Sequence, residues 1–368
     1  MYTLYTHTRT HTRTHANAHA HTHRERERER EGGREEGEQR KKESQKKEGQ
    51  EMSGTKTVAV IGSTGAQGSG VVHGLSGKEG WAVKAITRNV DSDKAKALAA
   101  LPGVSLVQAN MDDVKSLEAA FAGCYGVYCV TNFWEHFSPT KEYEQAANVA
   151  AAAKAAGVKH VVWSTLENAK AMGAGDTIPD IENGGVKYKV PHFEGKGLAD
   201  KVFAEAGVPT TNLYTSWYLD NMIFFGMGPK KGEDGVATLT FPQKETDILP
   251  CIAAKDIGLC AAGIFRDPTL IGKTVGIVGE HLTVPQLAKC LEDALGMPVK
   301  FNPVSADVYR SFGFPGADDL GNMFQWQSEN NAEFVSRRDP ALSKKLNPNL
   351  QSAADWCKEH ADAIKATM

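Results

Sequence analysis

The sequence predicts an α/β protein: a doubly wound parallel sheet with a smaller mixed α/β C-terminal lobe. Three observations carry that prediction. Short apolar runs rich in β-branched residues alternate with helix-length stretches from Thr57 to Tyr214. The first run passes directly into a glycine-rich turn, and beyond Tyr214 the alternation fades. A strand–helix rhythm of this kind builds a parallel sheet covered on both faces.

The elements follow in order. Val58 to Ile61 suits a fully buried parallel strand. It runs into Gly62-Ser63-Thr64-Gly65-Ala66-Gln67-Gly68 and then a helical stretch from Val71 to Leu75. Trp81 to Thr87 reads as the second strand and ends at Arg88; Val104 to Val107 is the third. After Asn110, either Asp112 or Asp113 caps a helix running through Phe121. Gly126 to Val130 makes a fourth strand ending in Thr131, and an alanine-rich helix covers about Lys141 to Ala156. His160 to Trp163 is a fifth strand, ending in Ser164. Further on, Ile223 to Phe225 reads as a helix entering a loop. Ala237 to Phe241 and Val299 to Asn302 read as strands, and Asp256 to Phe265 and Pro285 to Leu295 as helices. An aromatic-rich region around Phe312, Phe314, Met323, Trp326 and Phe334 reads as core, or as the lining of a cleft or partner surface.

Residues 1–52 are of another kind. His and Thr alternate with Arg and Ala up to His23, Arg and Glu alternate from Arg24 to Glu31, and only alanine is aliphatic between Leu4 and Met52. Such a segment has no core to form and reads as a disordered low-complexity tail. Ten basic residues from Arg24 to Glu51 are balanced by ten glutamates, which removes the case for a nucleic-acid arm. A CA repeat encodes alternating His and Thr and a GA repeat alternating Arg and Glu, so the tail is expected to be translated repeat DNA ahead of a start at Met52. Its histidines are an unordered ligand set, and no metal site is assigned. The remaining organisation is a Rossmann domain over 53–214 and a C-terminal region, 215–368, that completes the sheet and forms a substrate or partner lobe.

Composition narrows the class. The 368 residues carry a net charge of −3 and 41% hydrophobic residues, which argues against general binding to nucleic acid or to an anionic membrane. No apolar run approaches the roughly 20 residues of a membrane span. The six cysteines lack C-x-x-C spacing and read as reduced thiols, which with the absence of a leader pattern points to the cytoplasm, or the nucleus.

Strand, glycine loop and helix in that order form a phosphate-binding turn. Glycine lets the backbone approach a pyrophosphate, and the helix N-terminus offers free N–H groups and a positive dipole end. The expected ligand is a nicotinamide dinucleotide, with NADP preferred and NAD the alternative. Arg88 tilts the choice, because an acid at the end of the second strand suits a ribose 2′-OH and an arginine suits a 2′-phosphate. Asp91 and Asp93 oppose a phosphate there unless they point away.

Short-chain dehydrogenases place a Ser after the fifth strand and a Tyr-x-x-x-Lys on the next helix. Ser164 is present, but no Tyr-x-x-x-Lys occurs anywhere in the chain. The corresponding stretch is His192-Phe193-Glu194-Gly195-Lys196, which puts His192 and Lys196 on one helical face. His192 and Lys196 are therefore the candidate catalytic residues, with a histidine able to act as a general acid near neutral pH. The alternative is that His192 packs and Lys196 only holds cofactor.

Together these motifs resemble the NmrA-like family of atypical short-chain dehydrogenases. The resemblance rests on the glycine loop, Arg88-Asn89, Thr131 to Trp134, Ser164 to Asn168, His192 to Gly197 and Trp217 to Met222, and spans residues 55–368. It implies that Gly62 to Gln67 take the pyrophosphate, and Arg88 with Asn89 the 2′-phosphate. It implies further that Asn110 and Met111 flank the adenine and that Thr131, Asn132 and Phe133 lie on the ribose side. Lys196 would reach the nicotinamide ribose, and Tyr218, Leu219, Asp220 and Asn221 the nicotinamide end. Members of that family include NADP(H)-ratio sensors that bind regulatory proteins and scarcely catalyse, and neighbouring families are true NADPH reductases. The expectation is an NADP(H)-binding redox sensor with weak or no catalysis, partnered by a regulatory protein. The alternative is a reductase of a small carbonyl, quinone or aromatic substrate.

Overall fold

The parallel sheet begins with β1 (Lys56–Val60), β2 (Trp81–Thr87), β3 (Val104–Gln108), β4 (Gly126–Cys129) and β5 (His160–Thr165). A small hairpin, β6 (Ile181–Asn183) and β7 (Val186–Tyr188), precedes β8 (Thr210–Tyr214) and the two-residue β9 (Trp217–Tyr218). Then come β10 (Lys230–Lys231), β11 (Ala237–Phe241), β12 (Ile248–Ile252), β13 (Thr274–Gly276), β14 (Glu280–Thr283) and β15 (Val299–Pro303). This computed structural model describes residues 54–368; the readings made on the tail fall outside the described residues.

Seven strands form one parallel sheet in the order β13-β8-β5-β4-β1-β2-β3. The chain runs outward from β1 to β3, then returns to β4 on the other side of β1. That reversal is the topological switch point, beyond whose carboxyl ends ligands bind in open α/β sheets. Two three-stranded sheets, β10-β11-β15 and β14-β12-β9, belong to the C-terminal region. That region also supplies β13 to the main sheet, where it pairs parallel with β8.

Alternation along β1 explains the layers. Val58 and Val60 face one core with Val71, Val72 and Leu75, while Ala59 and Ile61 face the other with Phe121, Val149 and Trp163. Helices α1 (Ala66–Leu75), α2 (Asp93–Ala99), α3 (Val114–Phe121), α4 (Pro139–Ala155) and α5 (Pro191–Ala206) connect the strands. The helix after the glycine loop starts at Ala66, not Val71, because the last residues of the loop are themselves its first turn. Of the two candidate caps on α3, Asp113 does the capping, accepting from the Lys115 and Ser116 amides. Asp112 instead pairs with Lys141 at 2.9 Å, which holds its carboxyl below the usual range.

Beyond α6 (Asn221–Phe224), helix α7 (Ala254–Arg266) packs against α1 backbone to backbone. A Cβ on Gly70 would stand 2.3 Å from the Lys255 carbonyl, and one on Gly258 would stand 2.3 Å from the Gln67 carbonyl. Helices α8 (Val284–Leu295), α9 (Ala306–Arg310) and α10 (Ala317–Glu329) follow. The aromatic region divides: Met323, Trp326 and Phe334 join the C-terminal core, whereas Phe312 and Phe314 are exposed.

One buried ion pair fastens the C-terminal region to the end of β5. Arg338 and Glu167 are both fully buried and bond bidentately at 2.6 and 3.1 Å. The guanidinium also donates to the carbonyls of Thr215 and Phe334, so its charge is well satisfied. Removing one partner strands a buried charge. Glu167→Ala should destabilise the fold by about 3–5 kcal/mol in urea unfolding; a loss below about 1 kcal/mol would show that the pair is not a clamp.

Candidate functional site

The glycine loop lies across the carboxyl ends of β1 and β4, where the Ile61 amide donates to the Tyr128 carbonyl. Gly62 has φ +67°, a left-handed conformation open chiefly to glycine. A Cβ on Gly68 would fall 2.2 Å from the Gly62 carbonyl, so only glycine lets α1 start this close to the strand. Gly65 caps α1 without a side chain, leaving first-turn amides for a ligand. Gly62, Gly65 and Ala66 are exposed, Thr64 is half-buried, and Ser63 is buried, donating to the Ile86 carbonyl and tying the loop to β2. An uncapped helix start beneath an exposed glycine lip fits a pyrophosphate.

Gln67 does something its place in the motif does not announce. Its side-chain oxygen accepts from Ser164 Oγ at 2.8 Å and from the Tyr128 hydroxyl, while its Nε2 donates to the Tyr218 hydroxyl. One amide thereby joins the ends of β4, β5 and β9. Burial pushes both tyrosine hydroxyls above their ordinary pKa, so they stay protonated.

At the end of β2, Arg88 forms a two-point contact with Glu135, Nη2 standing 3.2 Å from Oε2. The guanidinium is held charged chiefly by hydrogen bonding to that carboxylate, which is itself pulled below its ordinary range. Asp91 and Asp93 make no ion pair with Arg88 among the described residues; the Asp91 amide bonds the Asn89 side chain, and Asp93 lies in the first turn of α2. Asn110 lies just beyond β3, its side chain accepting from the Asp112 amide, and Met111 is half-buried against the β4–α4 layer.

On the other side of the switch point, Thr131 is buried and Asn132 exposed, leading into a 3-10 turn, Phe133–Glu135. Lys196 reaches this segment from α5. Its Nζ donates to the Thr131 carbonyl at 3.0 Å and to Thr131 Oγ1 at 2.7 Å, and lies 2.8 Å from Oε2 of fully buried Glu142. Flanking glycines make that reach possible: Cβ atoms on Gly195 and Gly197 would stand 2.9 Å from Pro139 Cα and 2.7 Å from the Asn168 amide nitrogen. Helix α5 therefore sits directly on the chain.

His192, one turn earlier, is held from the C-terminal region. Asp319 of α10 accepts the His192 backbone amide at 3.0 Å and stands 2.6 Å from Nδ1. A carboxylate only accepts, so Nδ1 carries the proton and Nε2 is left without a hydrogen-bond partner among the described residues, on a side chain that is itself buried. Trp134, Phe193 and Phe133 pack around the imidazole with ring centroids at 5.0, 4.8 and 5.9 Å.

Tyr218 is half-buried over Gln67. The next residues turn elsewhere: Leu219 is 1% exposed within the C-terminal core and Asp220 caps α7 through the Ala254 amide at 2.8 Å, while Asn221 begins α6. Glu135, Glu142 and Asp319 were absent from the sequence reading. Only Glu142 left a signal: Glu142, Ala146, Val149 and Ala153 keep helical spacing, which sets a carboxylate on the buried face of α4.

Fold and glycine loop together define a Rossmann-type α/β protein. The chain belongs to the NmrA-like family, whose model matches residues 54–357. An NmrA-like oxidoreductase of Aspergillus versicolor is 31% identical over 67% of this chain and 70% of its own length. One from Aspergillus hancockii is 28% identical over 73% and 82%. Among solved structures, the negative transcriptional regulator NmrA in complex with NADP superposes with TM-score 0.67 at 20% identity, covering 83% of this chain and 95% of that one. The triphenylmethane reductase of Citrobacter sp. complexed with NADP(H) gives 0.64 at 23% identity, covering 83% and 99%. Among the described residues, no helix is long and apolar enough to cross a membrane, and no cluster of three or more metal-ligating side chains occurs.

One titration follows from this geometry. Asp200, a turn beyond Lys196, accepts from Trp163 Nε1 at 2.9 Å and Thr165 Oγ1 at 2.7 Å, and burial raises its carboxyl from 3.8 to about 7. The native state then binds the extra proton between those values, so the Asp200 contribution to stability falls as pH rises from about 4 to about 7. Asp200→Asn keeps both acceptor bonds and does not titrate. Its stability relative to wild type should improve by roughly 1–3 kcal/mol between pH 4 and pH 8, measured by urea unfolding; a pH-independent difference would contradict it.

Proposed function

We propose that this protein binds NADP(H) across the carboxyl ends of β1, β2 and β4 and reduces a small carbonyl, quinone or aromatic substrate. The observation that carries the reading is the His192–Asp319 pair. A reductase without the usual tyrosine needs another proton donor, and an imidazole oriented by a carboxylate, with Nε2 left free of partners, is one. Bound NADPH supplies the hydride. His192 would act as the imidazolium, giving its Nε2 proton to the reduced product and returning to the neutral ring protonated at Nδ1. Asp319 is the positioning residue that fixes that tautomer and stabilises the charged form, and solvent would restore the Nε2 proton.

Lys196 has a different part. With its ammonium shared among Thr131 and Glu142, it is suited to hold the nicotinamide ribose and the Thr131–Phe133 segment. Phe133, Trp134 and Phe193 give the imidazole apolar surroundings. The relatives from Aspergillus are named oxidoreductases, which agrees with this reading.

The regulatory reading keeps one specific support, exposed apolar side chains: the neighbouring Phe224 and Phe225 are 73% and 64% exposed. A protein partner of an NADP(H) sensor would find such side chains. The two readings part experimentally. With NADPH and a panel of quinones and aldehydes, whose reduced forms take up a proton, His192→Ala and Asp319→Asn should each lower kcat about 100-fold or more while leaving NADPH binding within about twofold. Tight NADPH binding with no turnover of any acceptor would remove the reductase and leave the sensor. In Lys196→Ala, the dissociation constant for NADPH should rise about tenfold or more; unchanged affinity would remove the ribose role.

A further inference from the structure

The Arg88–Glu135 pair sits where the dinucleotide reading places the adenosine ribose. Glu135 belongs to the 3-10 turn Phe133–Glu135, whose Phe133 and Trp134 wall the His192 imidazole. A single short turn thus touches both ends of the site. Its far end is strained: Phe137 has φ +52°, the only positive φ outside glycine among the described residues. The Asn183 side chain, donating to the Phe137 carbonyl at 2.7 Å, and Trp134, packed on Phe137 at 5.7 Å, hold it there.

The charges around Arg88 are simple. Glu135 is its partner, and Asp112, the next carboxylate to act on it, is engaged by Lys141. Glu135 has no second basic partner from Lys or Arg among the described ion pairs. A phosphate dianion arriving at Arg88 would compete for the same guanidinium, and with Glu135 still in place it would face a carboxylate across the same cation. A ribose 2′-OH carries no charge and would leave the pair intact.

We propose that Glu135 is a built-in competitor for the 2′-phosphate of NADP(H), so that NADP(H), unlike NAD(H), must release the 133–137 turn from Arg88 to bind. The inference rests on the proposed placement of the adenosine ribose at Arg88. It makes Glu135 the specificity-determining residue and links the adenosine end to the aromatic rings packed on His192. The chain therefore discriminates between dinucleotides by less than Arg88 alone would allow.

Calorimetric dissociation constants for NADP+ and NAD+ test this with wild type, Glu135→Gln and Arg88→Ala. Both side chains are largely exposed, and a melting curve establishes that each variant is folded. Glu135→Gln should tighten NADP+ about three- to tenfold and leave NAD+ within about twofold. Arg88→Ala should weaken NADP+ selectively. If Arg88→Ala does so while Glu135→Gln affects neither dinucleotide or both alike, the competition is overturned and the Arg88 placement stands. If Arg88→Ala leaves the NADP+/NAD+ ratio unchanged, the placement itself fails, and the competition with it. Tryptophan emission tests the link: NADP+ should produce a change absent with NAD+ and lost in Trp134→Phe. An equal change with both dinucleotides overturns the coupling.

Discussion

The candidate chemistry depends on the contact between Asp319 and His192. The parallel sheet brings the glycine loop, Arg88, Thr131 and Ser164 to one edge by topology alone. The proposed proton donor, His192, is held from elsewhere: α10 reaches back from the C-terminal region to grip both its backbone and its ring. A carboxylate within hydrogen-bond distance of one imidazole nitrogen decides what the other can do. The Glu167–Arg338 pair supports the arrangement by fastening the same region to the end of β5.

Two further constraints set the shape of the site. Backbone-to-backbone packing of α1 on α7 and of α5 on the segments around Pro139 and Asn168 removes slack from the glycine loop and from Lys196. Gln67 then couples the loop to β4, β5 and β9 through one amide, so Tyr128, Ser164 and Tyr218 share a hydrogen-bond network with the glycine loop. Movement of that loop would be felt at Ser164 and Tyr218.

Much of this was legible in the sequence where a short-range rule applied. The strand–loop–helix order, the α3 cap and the placement of Ser164 all depend on neighbours within a few residues. Helix α1 starts at Ala66, inside the glycine-rich loop, where the glycines mask its helical character in the sequence. Asp319 lies 127 residues from His192, and Glu135 lies 47 from Arg88; no periodicity joins such pairs, and only the folded chain brings them together. The run from Tyr218 to Asn221 was assigned to the nicotinamide end as a block by resemblance. In an extended segment successive side chains face opposite ways, so Trp217 and Leu219 enter the core and Tyr218 turns toward Gln67.

The central claim is that hydride leaves NADPH for a second substrate in a pocket where His192 completes the reaction. The most direct test uses NADPH deuterated at nicotinamide C4, prepared in both stereochemical forms, with the aldehydes of the panel, whose alcohols keep the label in a non-exchanging C–D bond, and reads the product by mass spectrometry. The account predicts one deuterium per product molecule from one of the two forms, at a rate that collapses in His192→Ala. NADPH bound tightly with no label reaching any acceptor would contradict it.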